Sequence, residues 1–570
     1  MTGTLVEDLT TRMRVRRAKP GRGTRALVWQ PEARGDGSAR RGQQMLGGLW
    51  HLAGQVVEAP GTSPWDLETP SEPFAMQLHG QGWLDDLIAV GERGAVARAQ
   101  TWSADWARRY GTGRGPGWAP ALAGRRLLRW IGHAPVLLSG MGGADQTAWF
   151  EAAYAQAGYL ARHAETAPEG LPRMEALTGL LHASMAFEGL ETLTDRAARA
   201  LANAAARDVD ASGGIASRNP EALLEVATLI GLALEALSGH GPAPWSLIKA
   251  QERIVPTLRA LRHADGALPR FHGGGRGRAG RLERLLTTSG IGARNDDGIA
   301  MGFVPLGHGR TTLVADAAAP PSGPVSGSAG ASTLAFELTS GEAPVVVNCG
   351  PGGAFGPDWH RAGRATASHS TLSLDAHASA RIGALLEVDG RKIAPLVQGP
   401  NEVLWQRSAS RRASRVVMAH DGYGPVFGLT HLRRLVLSTD GRKLEGEDSI
   451  RAISAADKER FEDARMATGM SGIPFRIRFH LHPDTGAELD MGGRAVSLTL
   501  HTGEVWVFRP GREMELSLEP SVYLEPGRVT PRPSRQVVLS DRVVQYAATT
   551  DWSLTLAQDA AEPSPATEDS

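Results

Sequence analysis

The chain has 570 residues, which is too long for one ordinary hydrophobic core, so we expect two large domains. Its 61 basic and 61 acidic residues give a formal net charge of zero, which provides no overall attraction to nucleic acid or to a membrane surface. We therefore expect no nucleic-acid partner, and an anionic ligand would need a local group of arginines. The single cysteine, Cys349, excludes an internal disulfide framework and a cysteine-rich metal site.

The hydropathy of the chain and the composition of its ends bear on where the protein works. No uninterrupted apolar run approaches the ~20 residues that a membrane-spanning helix needs. Basic residues near the amino terminus are not followed by an apolar segment, so we expect no cleavable signal peptide. A cytoplasmic location follows, with a periplasmic one as the alternative. Residues 1–42 are predicted to form a flexible arm and residues 557–570 a disordered tail, while the oligomeric state stays open.

Residues 43–295 are predicted to form one helix after another. Apolar residues recur there at helical spacing, and two of the helices are expected to meet near Gly91. Further amphipathic segments cover about residues 144–164, 171–187, 189–207, 219–238 and 245–263. Antiparallel helix pairs of this kind suit a solenoid or a closed toroid, because each pair buries its apolar stripe against its neighbours. The pattern alone does not choose between the two.

After about residue 296 the period changes from that of a helix to that of a strand. Short β-rich runs such as STLAFELTS, LTHLRRLVLS and FRIRFHLHP follow one another, bounded by Gly, Asp, Asn and Pro. They predict a large β-sandwich over residues 296–556. Within FRIRFHLHP, alternation places Arg476, Arg478, His480 and His482 on one face of a strand.

The stretch from residue 342 to 375 combines buried strands with polar side chains. A predicted strand at residues 344–348 breaks into a Gly/Pro loop, and the chain returns through His369 into a second strand at 372–374. A Gly-rich connection lets the backbone approach a ligand closely. His369 is the first candidate for a functional side chain, with a structural histidine that links strands as the alternative. Arg361 and Arg364 suit an anionic ligand, although exposed arginines are usually solvated surface.

Two loops in the helical half also carry unusual residues. In DASGGIASRNPE, Arg218 and Asn219 precede Pro220 at a predicted helix start, so Asn219 is either a functional amide or an N-cap. In LPRFHGGGRGRAG, His272 stands beside three glycines. This second loop is either a mobile connection or a substrate loop, because a lone Gly-rich motif is a weak signal.

Several stretches resemble the heparinase II/III-like family of bacterial polysaccharide lyases. They include LHGQGWLDDL, GGIASRNPE, FHGGG, FELTSGEAPVVVNCG and RATASHSTL, and they are spread from about residue 46 to 550. The resemblance implies an N-terminal (α/α) toroid of helix pairs over residues 43–295, followed by a C-terminal antiparallel β-sandwich. It also implies an acidic poly- or oligosaccharide, such as a glycosaminoglycan, as the partner.

The reaction that the resemblance implies is eliminative cleavage at a uronate. Such a lyase removes the proton at C5 and expels the 4-linked oxygen, so it needs groups that neutralise the carboxylate, a base and an acid. On this reading the catalytic residues are His369, His272 and Asn219. The substrate-binding residues are Arg218, Arg364, Arg361, Trp359 and Asn348, with the Trp359 ring available to stack on a sugar.

The sequence departs from the family pattern at several positions that carry chemistry. Ser328, Gly330 and Ser332 stand where two histidines and an aspartate of the family's metal site are expected, so we expect no cofactor and no zinc. A Gly-Tyr element reads Gly302-Phe303, and without the phenol that position cannot transfer a proton. The leading hypothesis is a lyase; the alternatives are a non-catalytic glycan-binding or envelope-assembly protein, and a hydrolase.

Overall fold

A computed structural model describes residues 10–15, 26–31, 37–293, 298–374, 377–388, 391–511 and 514–559. Most of the predicted N-terminal arm and of the predicted disordered tail lies outside these residues. Two compact units form: the first takes the described residues of Met1–Gly213 and Leu224–Val255, and the second those of Gly214–Leu223 and Pro256–Ser570. The second unit therefore includes helical residues ahead of residue 295, where the change of period was expected to divide the chain.

The helices begin at sites that the local sequence specifies. Ser71 precedes one of them, and its hydroxyl accepts a hydrogen bond from the Phe74 amide at 3.3 Å, as an N-cap does. The α-helices up to residue 290 are Ala39–Leu46, Glu72–His79, Trp83–Ala89, Arg93–Tyr110, Pro120–Gly132, Ala134–Ser139, Gly143–His163, Leu171–Ala186, Thr194–Asp208, Pro220–Leu237, Trp245–Leu261 and Arg281–Thr288, besides the helical residues 10–15. No described helix is long and apolar enough to cross a membrane.

The interior of the first unit contains a cluster of aromatic rings among many alanines and leucines. Five of its largest fully buried side chains are Trp50, Trp83, Trp106, Trp130 and Trp149. Neighbouring rings meet edge to face or stacked, as for Trp130 and Trp149 with centroids 5.1 Å apart. Each such ring removes a large apolar area from water, so these indoles supply much of the hydrophobic stabilisation of the helices.

The remaining regular structure is mostly short strands. The strands are β1 (Leu49–Leu52), β2 (Gln55–Glu58), β3 (Phe303–His308), β4 (Thr311–Asp316), β5 (Phe336–Ser340), β6 (Ala343–Val347), β7 (Leu372–Leu374), β8 (Arg381–Ile382), β9 (Leu386–Val388), β10 (Arg391–Ile393), β11 (Leu396–Gln398), β12 (Val403–Ala409), β13 (Ala413–Tyr423), β14 (Leu429–Ser438), β15 (Lys443–Arg451), β16 (Ile473–Leu481), β17 (Gly486–Asp490), β18 (Ala495–Thr499), β19 (Val505–Pro510), β20 (Glu515–Tyr523), β21 (Arg532–Val543) and β22 (Ala547–Gln558). Short helices at Pro357–Gly363, Gly424–Phe427 and Ala455–Ala467 interrupt them.

Two eight-stranded antiparallel sheets form the second unit. One has the order β12-β13-β14-β15-β22-β19-β18-β17, and the other runs β20-β21-β16-β6-β5-β4-β3 with β7 paired to β16. The rings of Phe336 on β5 and Trp552 on β22 stack between the sheets with centroids 5.8 Å apart. Such contacts across the two inner faces define a β-sandwich, as predicted.

Strand β16 shows how the alternation of side chains was read correctly. Phe475, Ile477 and Phe479 lie in the sandwich core. The intervening Arg476, Arg478 and His480 therefore share the opposite face, as the sequence pattern predicted. His482, the fourth residue of that prediction, follows the end of the strand.

The predicted Gly/Pro loop after β6 is only partly a loop. It contains the helix Pro357–Gly363, which starts after Gly356, a glycine with φ of +106°. Proline suits the first position of a helix, and Asp358 in the first turn interacts favourably with the helix dipole. The prediction of a continuous loop was wrong here because a helix of this length leaves no periodic pattern.

Candidate functional site

A cavity of about 260 Å³ lies within the second unit, and most of the predicted site residues lie in or beside it. Its walls come from three glycine-containing segments of the chain, from the short helix Pro357–Gly363 and from a few single residues elsewhere. The lining residues are Glu221, Arg270, His272, Gly273, Gly274, Ser328, Gly330, Gly350, Pro351, Gly352, Gly353, Ala354, His360, Gly363, Arg364, His369 and Pro526. Because many of these are glycines, the backbone itself bounds the cavity.

His369 presents one ring nitrogen toward this cavity. Its Nδ1 lies 2.9 Å from the carbonyl oxygen of Ala365, and because a carbonyl only accepts, the proton of the neutral ring resides on Nδ1. Nε2 then carries a lone pair. A Cβ added at Gly330 would come within 2.6 Å of that nitrogen, so only glycine leaves the space in front of it open. Burial lowers the pKa of His369 to about 4, so the ring is neutral at pH 7.

His272 lies on the same wall and faces a buried carboxylate. Its Nε2 is 3.4 Å from Oδ2 of Asp316, within ion-pair distance, whereas its Nδ1 has no hydrogen-bond partner among the described residues. Burial lowers the pKa of His272, which keeps this imidazole neutral as well. The ring packs beside Phe303 with centroids 5.9 Å apart. The residue that replaces the expected tyrosine is thus a neighbour of His272.

Asp316 is the centre of a charged cluster that sequence reasoning missed. Its Oδ1 accepts from Arg218 at 2.5 Å and its Oδ2 accepts from the Ser332 hydroxyl at 2.7 Å. Burial alone would raise the pKa of this carboxyl, but Arg218, His272 and Ser332 together lower it far below its usual range. The sequence held no signal for it, because Asp316 ends an ordinary β-rich run and its partners are distant in the chain.

Arg270 and Arg364 bring buried positive charge to the cavity. Arg270 donates to the carbonyl oxygens of Asn348, Cys349 and Leu524, at 3.1, 2.6 and 3.1 Å. Arg364 donates to the carbonyls of Ser326, Ala329 and Ala394, at 2.9, 2.8 and 2.8 Å. Neither guanidinium pairs with a carboxylate in the described part of the chain. Burial and the nearby Arg361 lower the pKa of Arg364 to about 10, so it still carries its charge at pH 7.

Asn219 and Arg218 make structural contacts beside the cavity. The side-chain oxygen of Asn219 accepts from the Ala222 amide at 3.0 Å, which confirms the N-cap reading of this residue. Arg218, in addition to its ion pair with Asp316, donates to four backbone carbonyls. Its guanidinium is therefore fully engaged within the protein. A catalytic role for Asn219 and a substrate-binding role for Arg218 stay predictions.

The other predicted substrate-binding residues lie apart from one another. Asn348 is fully buried, where its Oδ1 accepts from the Ser370 amide at 3.0 Å and its Nδ2 donates to Glu337 at 3.2 Å. Trp359 is half-buried and does not line the cavity. Arg361 is exposed and lines a different cavity. The structure thus brings together His369, His272 and Arg364, with Asn219 at the edge.

Two further residues on the walls carry chemistry that the sequence did not single out. Glu221 accepts a hydrogen bond from the Gly275 amide at 2.7 Å, and His360 lies 3.1 Å from the Gly327 carbonyl through Nε2. Glu221 is the second residue after an N-cap, and His360 lies on the undetected short helix. Their positions alone gave no indication of a shared cavity.

The positions that would hold a metal ion in this family do not suit one here. Gly330 offers no side chain next to His369, and Ser332 is engaged with the carboxylate of Asp316. Among the residues that the structure describes, no group of three or more His, Cys, Asp or Glu side chains could hold a metal ion. An imidazole with hydroxyl neighbours is a poor zinc site, so no step of the chemistry is assigned to a metal.

Together these groups offer a proton acceptor beside buried positive charge. The Nε2 lone pair of His369 can accept a proton from a ligand, and Arg270 and Arg364 can stabilise negative charge on it. The described residues that line the cavity supply no phenol, so the acid of a tyrosine-dependent elimination has no equivalent among them.

Comparisons with known proteins agree with this architecture. The family model "Heparinase II/III-like, C-terminal" matches residues 291–553. FtsZ-localized protein C of Caulobacter vibrioides is 30% identical over 524 residues, which cover 91% of this chain and 88% of that protein. The second of these matches extends over most of the chain.

Solved structures share the fold at low sequence identity. Heparinase III matches with a TM-score of 0.66 and 12% identity, over 96% of this chain and 89% of that one. A mutant of the heparan sulfate lyase HepC from Pedobacter heparinus matches with a TM-score of 0.57 and 15% identity, over 98% and 89%. The predicted fold class, a helical toroid followed by an antiparallel sandwich, is confirmed. The chain belongs to the heparinase II/III-like family.

Proposed function

We propose that this chain binds an acidic, uronate-containing oligosaccharide in the 260 Å³ cavity and cleaves it by β-elimination. The observation that carries the proposal is the open Nε2 of His369 beside two buried guanidiniums that have no carboxylate partner in the described residues. The shared fold with heparinase III and the heparan sulfate lyase supports it.

The buried arginines favour an anionic ligand on energetic grounds. A buried charge is costly unless it is paired, and hydrogen bonds to neutral carbonyls compensate only part of that cost. A uronate carboxylate between Arg270 and Arg364 would supply the missing negative charge. The two guanidiniums would in return neutralise this carboxylate, and that would make the adjacent C5–H more acidic.

His369 is assigned as the base of this reaction. Its Nε2 takes the C5 proton, the electron pair of that C–H bond forms the C4–C5 double bond, and the bond from C4 to the leaving oxygen breaks. The leaving oxygen takes a proton from water, since no phenol lies among the described lining residues. Burial lowers the pKa of His369 to about 4, so the ring stays in its base form above about pH 5. We therefore expect no loss of activity from protonation of His369 above that pH.

The test is incubation with a panel of uronate oligosaccharides while the ultraviolet absorbance of the unsaturated product is followed. We expect product with the native chain and none with His369→Gln or Gly330→Ala, because the latter fills the space before Nε2. Gly94→Ala is the matched control, since a Cβ there meets no atom within 4 Å. New reducing ends without the chromophore would instead indicate a hydrolase.

A second candidate function is non-catalytic glycan binding during envelope assembly. It is favoured by Phe303 in the place of a phenol and by Ser328 and Gly330 at the family's metal positions. FtsZ-localized protein C is named for localising with FtsZ, and the similarity to it suggests the same localisation for this chain. Binding of the oligosaccharides by calorimetry without any product, together with co-localisation of a fluorescent fusion with FtsZ, would favour this function over the first.

The proposal includes a cytoplasmic location and no metal cofactor. Fractionation of the fusion between cytoplasm and periplasm tests the former. For the latter, we expect product formation or binding to be unchanged after dialysis against a chelator, and metal analysis to find less than one equivalent of zinc per chain.

A further inference from the structure

A second, larger cavity of about 540 Å³ lies in the same unit as the candidate site. The helix Pro357–Gly363 bounds both. It contributes His360 and Gly363 to the candidate site, and Asp358, Arg361 and Ala362 to the second cavity. With about 100° between successive residues of a helix, these two sets fall on different faces. The second cavity is therefore a separate site with its own walls.

The walls of this second cavity are largely apolar. They include Ala362, Ile382, Tyr423, Val426 and Phe427. The Tyr423 hydroxyl donates to the Leu372 carbonyl at 2.8 Å, so its polar end is occupied elsewhere. Val426 is 51% exposed, so its side chain is accessible to a ligand in the cavity.

Positive charge and a strand edge complete the site. Arg361 and Arg381 are exposed on the rim, and neither forms an ion pair with a described residue. Within the described ranges, the side chain of Arg381 donates to Gln398 alone, at 3.4 Å. Strand β8, to which Arg381 and Ile382 belong, pairs with β11 and with no other described strand. One edge of β8 therefore keeps backbone groups available for another strand.

We propose that this second cavity binds an extended acidic peptide of a partner protein. An apolar side chain of the peptide fills the space between Ile382 and Val426, and carboxylates on either side of it pair with Arg361 and Arg381. The peptide backbone adds to the edge of β8. The cavity volume falls within the range of roughly 300–1000 Å³ that is usual for ligand sites. A lipid could use the apolar walls but not the strand edge, so the combination favours a peptide.

The test is selection of seven-residue peptides from a random display library against the full-length protein. We expect the selected peptides to carry an apolar residue flanked by Asp or Glu. A fluorescein-labelled selected peptide should lose at least tenfold in affinity for the double variant Arg361→Glu, Arg381→Glu, by fluorescence anisotropy. The same peptide with its acids changed to lysine should bind that variant and not the native chain, a reversal that a misfolded variant cannot give.

Matched controls decide the remaining outcomes. Arg415→Glu changes another exposed arginine, away from the cavity, and should leave the affinity unchanged. Selected peptides without acids, or peptides whose affinity ignores the double variant, would overturn the proposal. Vesicles of phosphatidylglycerol that bind the native chain but not the double variant, with no peptide selected, would overturn it in favour of a membrane surface.

Discussion

The second unit contains two buried clusters of histidine, arginine and aspartate, and they differ in how fully their polar atoms are paired. In the sandwich interior, Asp448 accepts from His431 at 2.8 Å, from Arg433 at 2.8 Å and from the Trp552 indole at 2.9 Å. In the candidate site, by contrast, Nδ1 of His272 has no hydrogen-bond partner among the described residues, and the guanidinium of Arg364 donates there to carbonyls alone.

The polar side chains of the interior cluster bond mainly to one another. His420 accepts from the Gly422 amide through Nδ1, so its Nε2 carries the proton and lies 3.4 Å from Nδ1 of His431. His431 in turn donates from Nε2 to Asp448. Residue type alone therefore does not mark a functional site. Buried polar atoms left unpaired beside a cavity do, because the protein tolerates their cost where a ligand can offset it.

The largest effect expected from this comparison is in the closed cluster. Replacing Asp448 with Ala leaves Arg433 buried and unpaired, which should lower the free energy of unfolding by about 3–5 kcal/mol. Urea unfolding measures it. The control is Asp463→Asn on the surface, where a change within about 0.5 kcal/mol is expected. A small loss at Asp448 would show that the cluster does not stabilise the sandwich.

Acid should destabilise the protein through its buried imidazoles. The pKa values of His369 and His480 are lowered to about 4 by burial, whereas the unfolded rings titrate near 6.5. The unfolded chain therefore binds protons that the folded one refuses. The contribution of each ring to the free energy of unfolding is fully present above about pH 6.5. It is lost as the pH drops toward 4, and the loss is on the order of 3 kcal/mol for each ring. Urea unfolding at pH 7, 6 and 5 should show this decline, and equal stability at all three would refute it.

Substitutions in the candidate site should change ligand affinity more than they change the free energy of unfolding. Arg364→Met removes a guanidinium from the cavity wall, and we expect a uronate oligosaccharide to bind 10- to 100-fold more weakly, or about 1.4–2.7 kcal/mol. Arg364→Lys keeps the positive charge and should therefore lose less affinity for the oligosaccharide than Arg364→Met. Calorimetry measures both, with exposed Arg412→Met as the control. Equal affinity for native and Arg364→Met protein would place the ligand elsewhere.

The smallest effect concerns the edge of the open site. Ser332→Ala removes a fully buried hydroxyl that donates to Asp316 at 2.7 Å. This should lower the free energy of unfolding by about 1–2 kcal/mol. Ser497→Ala removes the same kind of bond, to Asp490 at 2.8 Å, on the surface. For Ser497→Ala we expect the free energy of unfolding to fall by less than about 0.5 kcal/mol. If the two variants lose the same stability in urea, burial does not strengthen the bond at Asp316.

Local features of the fold could be predicted from the sequence because their causes are local. The predicted helix at about 171–187 is observed as Leu171–Ala186, and the strand at Leu372–Leu374 lies where it was predicted. The cap at Asn219 involves an amide three residues away. In each of these cases neighbouring residues decide the outcome, through hydrophobic period or a short hydrogen bond.

The site itself depends on contacts that no local pattern encodes. The ion pair of Arg218 with Asp316 joins residues 98 positions apart, so the sequence suggested Arg218 as a ligand group and gave no weight to Asp316. Likewise, Arg270 reaches the carbonyl of Leu524, 254 positions away. His369 could be selected because it stands between strands in a polar stretch. Its open Nε2 depends on the absent side chain of Gly330, which only the structure reveals.

The helix Pro357–Gly363 has a thermodynamic consequence, because it is a common wall of both cavities. A ligand held against either face restrains the same seven residues, and the entropy lost in ordering them is lost only once. Saccharide and peptide should then bind cooperatively. By reciprocity, whatever factor the peptide adds to the affinity for the sugar, the sugar adds to the affinity for the peptide.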